Sequence, residues 1–246
     1  MSIRFDDQVA IVTGAGGGLG KEHALGLARR GAKVVVNDLG GGVDGSGASD
    51  AAKAVVDQII SEGGEAIANG ASVTDLEAVQ AMVNEAKEKW GRVDILVNNA
   101  GILRDKSFHK DTIESFNAVM DVHFQGTLNC THTVYPIMRE QEFGRIIFTS
   151  SSSGVFGNFG QANYGSAKMA MVGLMNTLKL EGQKYNVFTN SITPVAYTRM
   201  TEGLIPEDFG KNMQPEHVTP AVLYLASKDA PNGVVMAAGA GVFARI

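Results

Sequence analysis

Short apolar runs alternate along the chain with longer stretches in which apolar residues recur every three or four positions. The short runs occupy residues 9–13, 33–37, 65–68, 95–98, 145–149, 187–192 and 234–237. Their length and near-continuous apolar character fit strands buried on both faces. Segments of helical period cover 19–30, 48–62, 75–90, 112–138, 162–184 and 215–227. Strand and helix therefore take turns, which predicts an α/β fold: a Rossmann-type doubly wound sheet of seven parallel strands with helices on both faces. Thr74-Asp75 offers an N-cap to the third helix, and Gly31, Gly63 and Gly91 stand where helices should stop. No repeat or linker-like shift in composition divides the chain, so residues 1–246 read as one domain. The connection 195–214, carrying Tyr197, Met200, Leu204, Ile205, Phe209 and Met213, is long enough to be a substrate lid.

Composition narrows the partners. The 30 glycines in 246 residues exceed the ~7% of average usage without any G-X-Y period, so they serve local geometry. They are dense between Gly14 and Gly47, where 40–47 reads as a flexible loop. A net charge of -5 with no run of like charges lacks the basic footprint of nucleic-acid binding. Anionic small ligands stay possible, because helix N-termini hold them through backbone N–H groups. No apolar stretch approaches the ~20 residues of a membrane span, and the first residues lack a signal-peptide core. The terminal Ala244-Arg245-Ile246 is not a Ser-Lys-Leu peroxisomal address, so a cytoplasmic location is expected. Cys130, the one cysteine, falls in an apolar-periodic segment and reads as a buried thiol. His23, His109, His132 and His217 show no metal-ligand spacing, and no metal is expected.

Chemistry enters at the strand ends. Thr13-Gly14-Ala15-Gly16-Gly17-Gly18-Leu19-Gly20 leaves the first strand and opens the first helix. Gly14 would make the tight turn, Gly18 let a pyrophosphate approach backbone, and Gly20 let helix pack on sheet. Asp38 closes the second strand at the spacing where a carboxylate accepts from adenosine ribose hydroxyls. It would repel a ribose 2′-phosphate, and Leu39-Gly40-Gly41 offers no arginine, which favours NAD over NADP. A strand-end turn residue is the plainer reading of Asp38. Asn99, Ala100 and Gly101 follow the fourth strand, Ser151 the fifth, and Tyr164 and Lys168 lie one helical turn apart. All stand at carboxyl ends of predicted parallel strands, where open α/β sheets bind ligands. As a phenolate, Tyr164 could take the proton of a substrate hydroxyl; ionising it at pH 7 needs about 4 kcal/mol. A Lys168 ammonium about 4 Å away would supply a similar amount at an effective dielectric of 20. Ser151 would donate to the substrate oxygen. Ser150, Ser152 and Ser153 compete for that part, and Tyr164 or Lys168 alone reads as packing or surface.

These motifs, Thr-Gly-x-x-x-Gly-x-Gly, Asn-Asn-Ala-Gly and Ser-x12-Tyr-x3-Lys, resemble those of the short-chain dehydrogenase/reductase family over essentially the whole chain. Asn37 to Gly41 (NDLGG), Asn98 to Asp105 (NNAGILRD) and Gly157 to Tyr164 (GNFGQANY) resemble one branch more closely. It comprises the (3R)-hydroxyacyl-CoA dehydrogenase units of peroxisomal multifunctional enzymes and their free-standing bacterial relatives. The resemblance implies an oxidoreductase passing hydride between a 3-hydroxyacyl-CoA and NAD, with Lys168 on the nicotinamide ribose. It also implies a homodimer or homotetramer paired through the helices at 112–138 and 162–184. A 17β-hydroxysteroid dehydrogenase, a 3-oxoacyl-carrier-protein reductase and a non-catalytic NAD-binding protein stay open as alternatives. His123 stands where many members carry an asparagine, so the resemblance implies a relay there; a buried structural histidine is the alternative. Ala71 replaces the family's adenine-contacting aspartate, leaving Ser72 and Val73 backbone groups. Val195 replaces a common glycine, with Val195, Ala196 and Thr198 lining the nicotinamide side. Arg104, Lys106 and Arg199 could meet CoA phosphates or be ordinary surface.

Overall fold

The structure is a computed structural model that describes residues 3–42, 44, 50–198 and 207–246. The strands are β1 (Val9–Thr13), β2 (Lys33–Asn37), β3 (Glu65–Asn69), β4 (Ile95–Asn98), β5 (Gly144–Thr149), β6 (Val187–Pro194), β7 (Val235–Gly239) and β8 (Val242–Arg245). They form one sheet in the order β3-β2-β1-β4-β5-β6-β7-β8. Strand order reverses between β1 and β4, which makes the carboxyl ends of these two strands the switch point.

Side chains along β1, β2, β4 and β5 alternate between two cores, as the two-residue period of a strand requires. Ala10, Val12, Val34, Val36, Ile95 and Val97 enter one core with α1 (Gly18–Ala28), α2 (Ala51–Ser61) and α9 (Thr219–Ala226). Val9, Ile11, Val35, Leu96, Ile146 and Phe148 enter the other with α3 (Leu76–Trp90), α5 (Gly126–Glu140) and α7 (Ala162–Gly182). Helices on both faces explain why the strands read as unbroken apolar runs. Asp75 caps α3 by accepting from Ala78 N–H (3.1 Å), and Gly91 ends it in the left-handed conformation. Cys130 is buried in the second core, and burial pushes its thiol up to about 12.

Two expectations need correction. The sheet has eight strands, not seven parallel ones: β8 pairs antiparallel with β7. Ala240 and Gly241, both at positive φ, form the tight two-residue turn that a hairpin needs. All four residues of β8 are exposed, so no core-facing apolar run announced it. The helix expected over 112–138 is also interrupted. α4 (Ile113–Met120) passes into a π turn at Asp121–Gln125 before α5 begins. The extra residue in that turn rotates the chain, and His123 at its centre is buried. Shorter helices, α6 (Ser152–Phe156) and α8 (Glu207–Gly210), lie in connections that carried no helical period.

At the amino end of β5, Arg145 is buried with no carboxylate partner among the described residues. Its guanidinium lies 4.4 Å from the Phe143 ring and 4.3 Å from that of Phe188. It donates to the carbonyls of Gly144, Asn186, Ser227 and Lys228 and to the Asn186 side chain.

Candidate active site

Glycine and threonine at the end of β1 set the first wall. Gly14 has φ 63°, and a Cβ there would stand 2.8 Å from Ala100 Cα. A Cβ on Gly20 would stand 2.2 Å from the Gly14 carbonyl, so α1 approaches the turn only because both are glycine. The Thr13 hydroxyl accepts from Asn99 N–H (3.0 Å) and Ala100 N–H (3.1 Å) and reaches the Val97 carbonyl (3.4 Å). Asn99 Nδ2 donates to the Thr13 (2.9 Å) and Gly14 (3.0 Å) carbonyls. The turns after β1 and β4 are thus locked together, and the Asn99 side chain is spent on that lock.

α1 has no side-chain cap and no acidic residue in its first turn. The N–H groups around Gly18, Leu19 and Gly20 are therefore the donors that a helix start offers to an anion. Asp38 closes the far side of this turn: its Oδ2 accepts from Gly16 N–H and its Oδ1 from Gly40 N–H, each at 2.7 Å. A Cβ on Gly16 would stand 2.8 Å from that same Oδ2. The carboxylate keeps further lone pairs for hydroxyl donors. These features fit a dinucleotide. Beyond β3, the Ser72 carbonyl accepts from Asp75 N–H and the Val73 carbonyl from Asn129 Nδ2. Thr198 approaches the Gly18 turn, 3.7 Å from where a Cβ would be, while Val195 N–H pairs with the Ala238 carbonyl and Ala196 is buried. Within the 195–214 connection, Tyr197 N–H donates to the Met213 carbonyl (2.6 Å). Arg199, Met200, Leu204 and Ile205, and the Phe209 side chain, lie outside the described residues.

Ser151, Tyr164 and Lys168 converge beyond β5. Ser150 is not available, because its hydroxyl is buried and donates to the Lys168 carbonyl (2.9 Å). Ser151 caps α6, accepting from Ser153 N–H (3.2 Å), and its hydroxyl lies toward the Tyr164 phenol, lowering the phenol pKa. Gly154 and Gly165, which sequence reasoning passed over, let α6 sit on α7: a Cβ on Gly165 would stand 2.9 Å from the Ser153 carbonyl. Desolvation outweighs Ser151 and pushes the Tyr164 phenol up to about 12, with Asp105 adding to the rise. Lys168 lies with Nζ 5.2 Å from the centre of the Tyr164 ring and donates to the Thr149 carbonyl (2.6 Å). Burial lowers it to about 7. The simple picture of an ammonium holding a phenolate therefore needs amending. Desolvation favours the neutral form of each group, and the phenol holds its proton at neutral pH.

His123 packs edge-on to Tyr164, ring centres 5.1 Å apart at 89°. Its Nε2 faces both the carbonyl (2.8 Å) and the N–H (3.1 Å) of Ile102, donating to one or accepting from the other according to tautomer. Its buried Nδ1 has no hydrogen-bond partner among the described residues. Burial, then the Lys168 charge, hold it well below the usual histidine range, so the ring is neutral. A Cβ on Gly101 would stand 2.2 Å from His123 Cε1. Gly101 thus makes room for the imidazole, a part its place in the cofactor motif did not suggest. Among the described residues, no group of three or more His, Cys, Asp or Glu could hold a metal, and no helix is long and apolar enough to cross a membrane.

The chain is similar to known proteins along nearly its whole length. It is 51% identical over 241 residues to peroxisomal multifunctional enzyme type 2 of Drosophila melanogaster, covering 97% of this chain and 40% of that protein. It therefore spans less than half the length of that relative. It is 48% identical to a short-chain type dehydrogenase/reductase of Mycobacterium tuberculosis, covering 98% of this chain and 85% of the relative. Among solved structures, 7α-hydroxysteroid dehydrogenase complexed with NADH and 7-oxo glycochenodeoxycholic acid superposes with a TM-score of 0.87 at 31% identity, covering 97% and 95% of the two chains. The family profile described as short chain dehydrogenase matches residues 8–208. On that match and these relatives, the chain belongs to the short-chain dehydrogenase family of oxidoreductases.

Proposed function

We propose that the protein is an NAD-dependent dehydrogenase that interconverts a (3R)-3-hydroxyacyl-CoA and its 3-oxo form. The observation that carries the reading is the meeting of Ser151, Tyr164 and Lys168 beside the glycine turn that Asp38 closes. A dinucleotide would lie with its pyrophosphate on Gly18, Leu19 and Gly20, its adenosine ribose on Asp38, and its adenine against Ser72 and Val73 N–H groups. Asn99, Ala100 and Gly101 form the floor, and Val195, Ala196 and Thr198 flank the nicotinamide. NAD would supply the hydride acceptor, as the NADH named with the superposed hydroxysteroid enzyme suggests.

Ser151 holds the substrate oxygen and Tyr164 exchanges its proton with it. With the phenol protonated at neutral pH, the resting site is poised to protonate a ketone. Oxidation needs the phenol pKa brought down, toward which a nearby positive charge works. Lys168 holds the nicotinamide ribose, and neutral His123, with Nδ1 unpartnered, completes the proton path. The acyl-CoA preference rests on NDLGG, NNAGILRD and GNFGQANY, with Arg104 and Lys106 exposed at the mouth. Likeness to a hydroxysteroid enzyme supports a steroid alcohol as the second reading. Residues 1–246 act as one cytoplasmic domain with a lid over 195–214. A homodimer or homotetramer would cover Met169 and Leu180, exposed at 46% and 70% on α7.

The test follows NADH formation from NAD with matched (3R)- and (3S)-3-hydroxyacyl-CoA thioesters and a steroid alcohol. Turnover of the (3R) thioester is expected. Turnover of the steroid with neither thioester used would overturn the assignment. Tyr164→Phe should cut turnover by at least about a hundredfold while sparing NAD binding; undiminished turnover removes Tyr164 from the chemistry.

A further inference from the structure

Between β4 and α4 the chain crosses the mouth of the site, and four hydrogen bonds tie it to the residues around Tyr164. Lys106 N–H donates to the Gly160 carbonyl (2.9 Å). Gln161 Nε2 donates to Asp105 Oδ2 (2.7 Å). Asn163 Nδ2 donates to the Arg104 carbonyl (2.9 Å) and to Asp111 Oδ2 (3.0 Å). Asn163 Oδ1 accepts the N–H of Tyr164 itself (2.6 Å), and Gln161 Oε1 accepts from Asn158 (3.0 Å).

Gln161 and Asn163 are buried, at 8% and 1% exposure, and the hydride chemistry uses neither. Gln161 also occupies the N-cap of α7, where a side chain ordinarily accepts from the helix; it makes no such bond. Its amide serves Asp105 instead. Buried amides whose N–H donors all cross to a second segment specify one arrangement of the two.

We propose that Gln161 and Asn163 are positioning residues that clasp the 104–111 segment to the first turn of α7, fixing Tyr164 against that wall and holding the Asp105 carboxylate at the start of that helix. This rests on the reading of Tyr164 as the acid–base group. The charged or titratable groups that face the phenol are Lys168 from α7, His123 from the π turn and Asp105 from the clasped segment, with the Ser151 hydroxyl from α6. Asp105 works in the direction that keeps the proton on Tyr164. The clasp therefore has two separable effects, one of geometry and one of charge.

Three variants of the full chain separate them. Gln161→Glu sets two carboxylates face to face; amides of 104–111 should exchange with deuterium at least about tenfold faster, and kcat should fall about tenfold to a hundredfold with KM less affected. Asp105→Asn keeps the acceptor oxygen and removes the charge. Exchange should be unchanged, while tyrosinate absorbance, assigned by difference from Tyr164→Phe, should appear at lower pH. The rising limb of oxidative kcat should move the same way. The double variant Gln161→Glu with Asp105→Asn re-forms the bond with donor and acceptor exchanged and should restore both exchange and kcat. Wild-type exchange in Gln161→Glu, or no recovery in the double variant, overturns the clasp. An unmoved phenol titration in Asp105→Asn overturns the part given to Asp105. Exchange and absorbance need no substrate, so these outcomes stand apart from undiminished turnover in Tyr164→Phe, which overturns the function instead.

Discussion

Gly101 and His123 show how one residue's missing side chain becomes another's place. With 2.2 Å between a would-be Cβ and the imidazole, Gly101→Ala must push the ring toward Tyr164 or out of its slot. Overpacking of this kind costs about 1–3 kcal/mol, and both melting temperature and kcat should drop. Adding His123→Ala to Gly101→Ala should return the melting temperature but not the rate; thermal melts and initial rates on the four proteins decide it. Melting unchanged by Gly101→Ala would show that the ring is not confined. Tyr164 and Lys168 were legible in the sequence because they share one helix, where spacing alone fixes a common face. Ser151 could be chosen only to within a residue, and the inward hydroxyl of Ser150 removes one of its competitors. The partnership of Gly101 with His123 was not legible. It depends on a helical irregularity that leaves no trace in periodicity.

At the scale of elements, the turns after β1 and β4 stay together because the ends of these strands are joined by side chains rather than by a loop. Thr13 carries most of that joint. Thr13→Val keeps the shape and leaves the Asn99 and Ala100 N–H groups without their acceptor, at about 1–3 kcal/mol for each such group buried. Denaturant unfolding should show a loss of about 2 kcal/mol or more, and NAD affinity measured by nicotinamide fluorescence should fall; Thr13→Ser should behave as wild type. A stable Thr13→Val protein with normal NAD affinity would sink this account. Strands buried on both faces were readable as apolar runs, and their alternation between two cores follows from that burial. The π turn at Asp121–Gln125 was not readable, since apolar residues continue on both sides of it. Nor was β8, whose exposed residues are held by a turn with a non-glycine residue, Ala240, at φ 48°.

At the scale of the molecule, stability should depend on pH through two histidines that fold only as neutral rings. His23 is fully buried against the Thr219 hydroxyl (3.0 Å), and burial lowers it to about 3; His123 is shifted the same way. In the unfolded chain both protonate near pH 6.5. Below that value the unfolded state binds more protons than the folded one, so stability falls on acidification, by up to about 1.4 kcal/mol per pH unit for each ring. Urea midpoints taken between about pH 7.5 and 5 should decline, and His23→Gln should flatten the decline. A midpoint constant across that range would mean that the rings are not held neutral.

The guanidinium of Arg145 sets the amino end of β5 apart electrostatically from the other end of the sheet. It gathers the carbonyls of Asn186, Ser227 and Lys228, where the turn after α7 and the helix α9 finish, so the negative poles of these elements meet a cation that the chain itself provides. At the opposite ends of the strands, α1 starts with neither an acidic residue nor a side-chain cap. One pole of the fold is neutralised from within; the other keeps its N–H donors open to an anion. A phosphate bound there, as proposed above, would complete an electrostatic balance that folding brings only halfway.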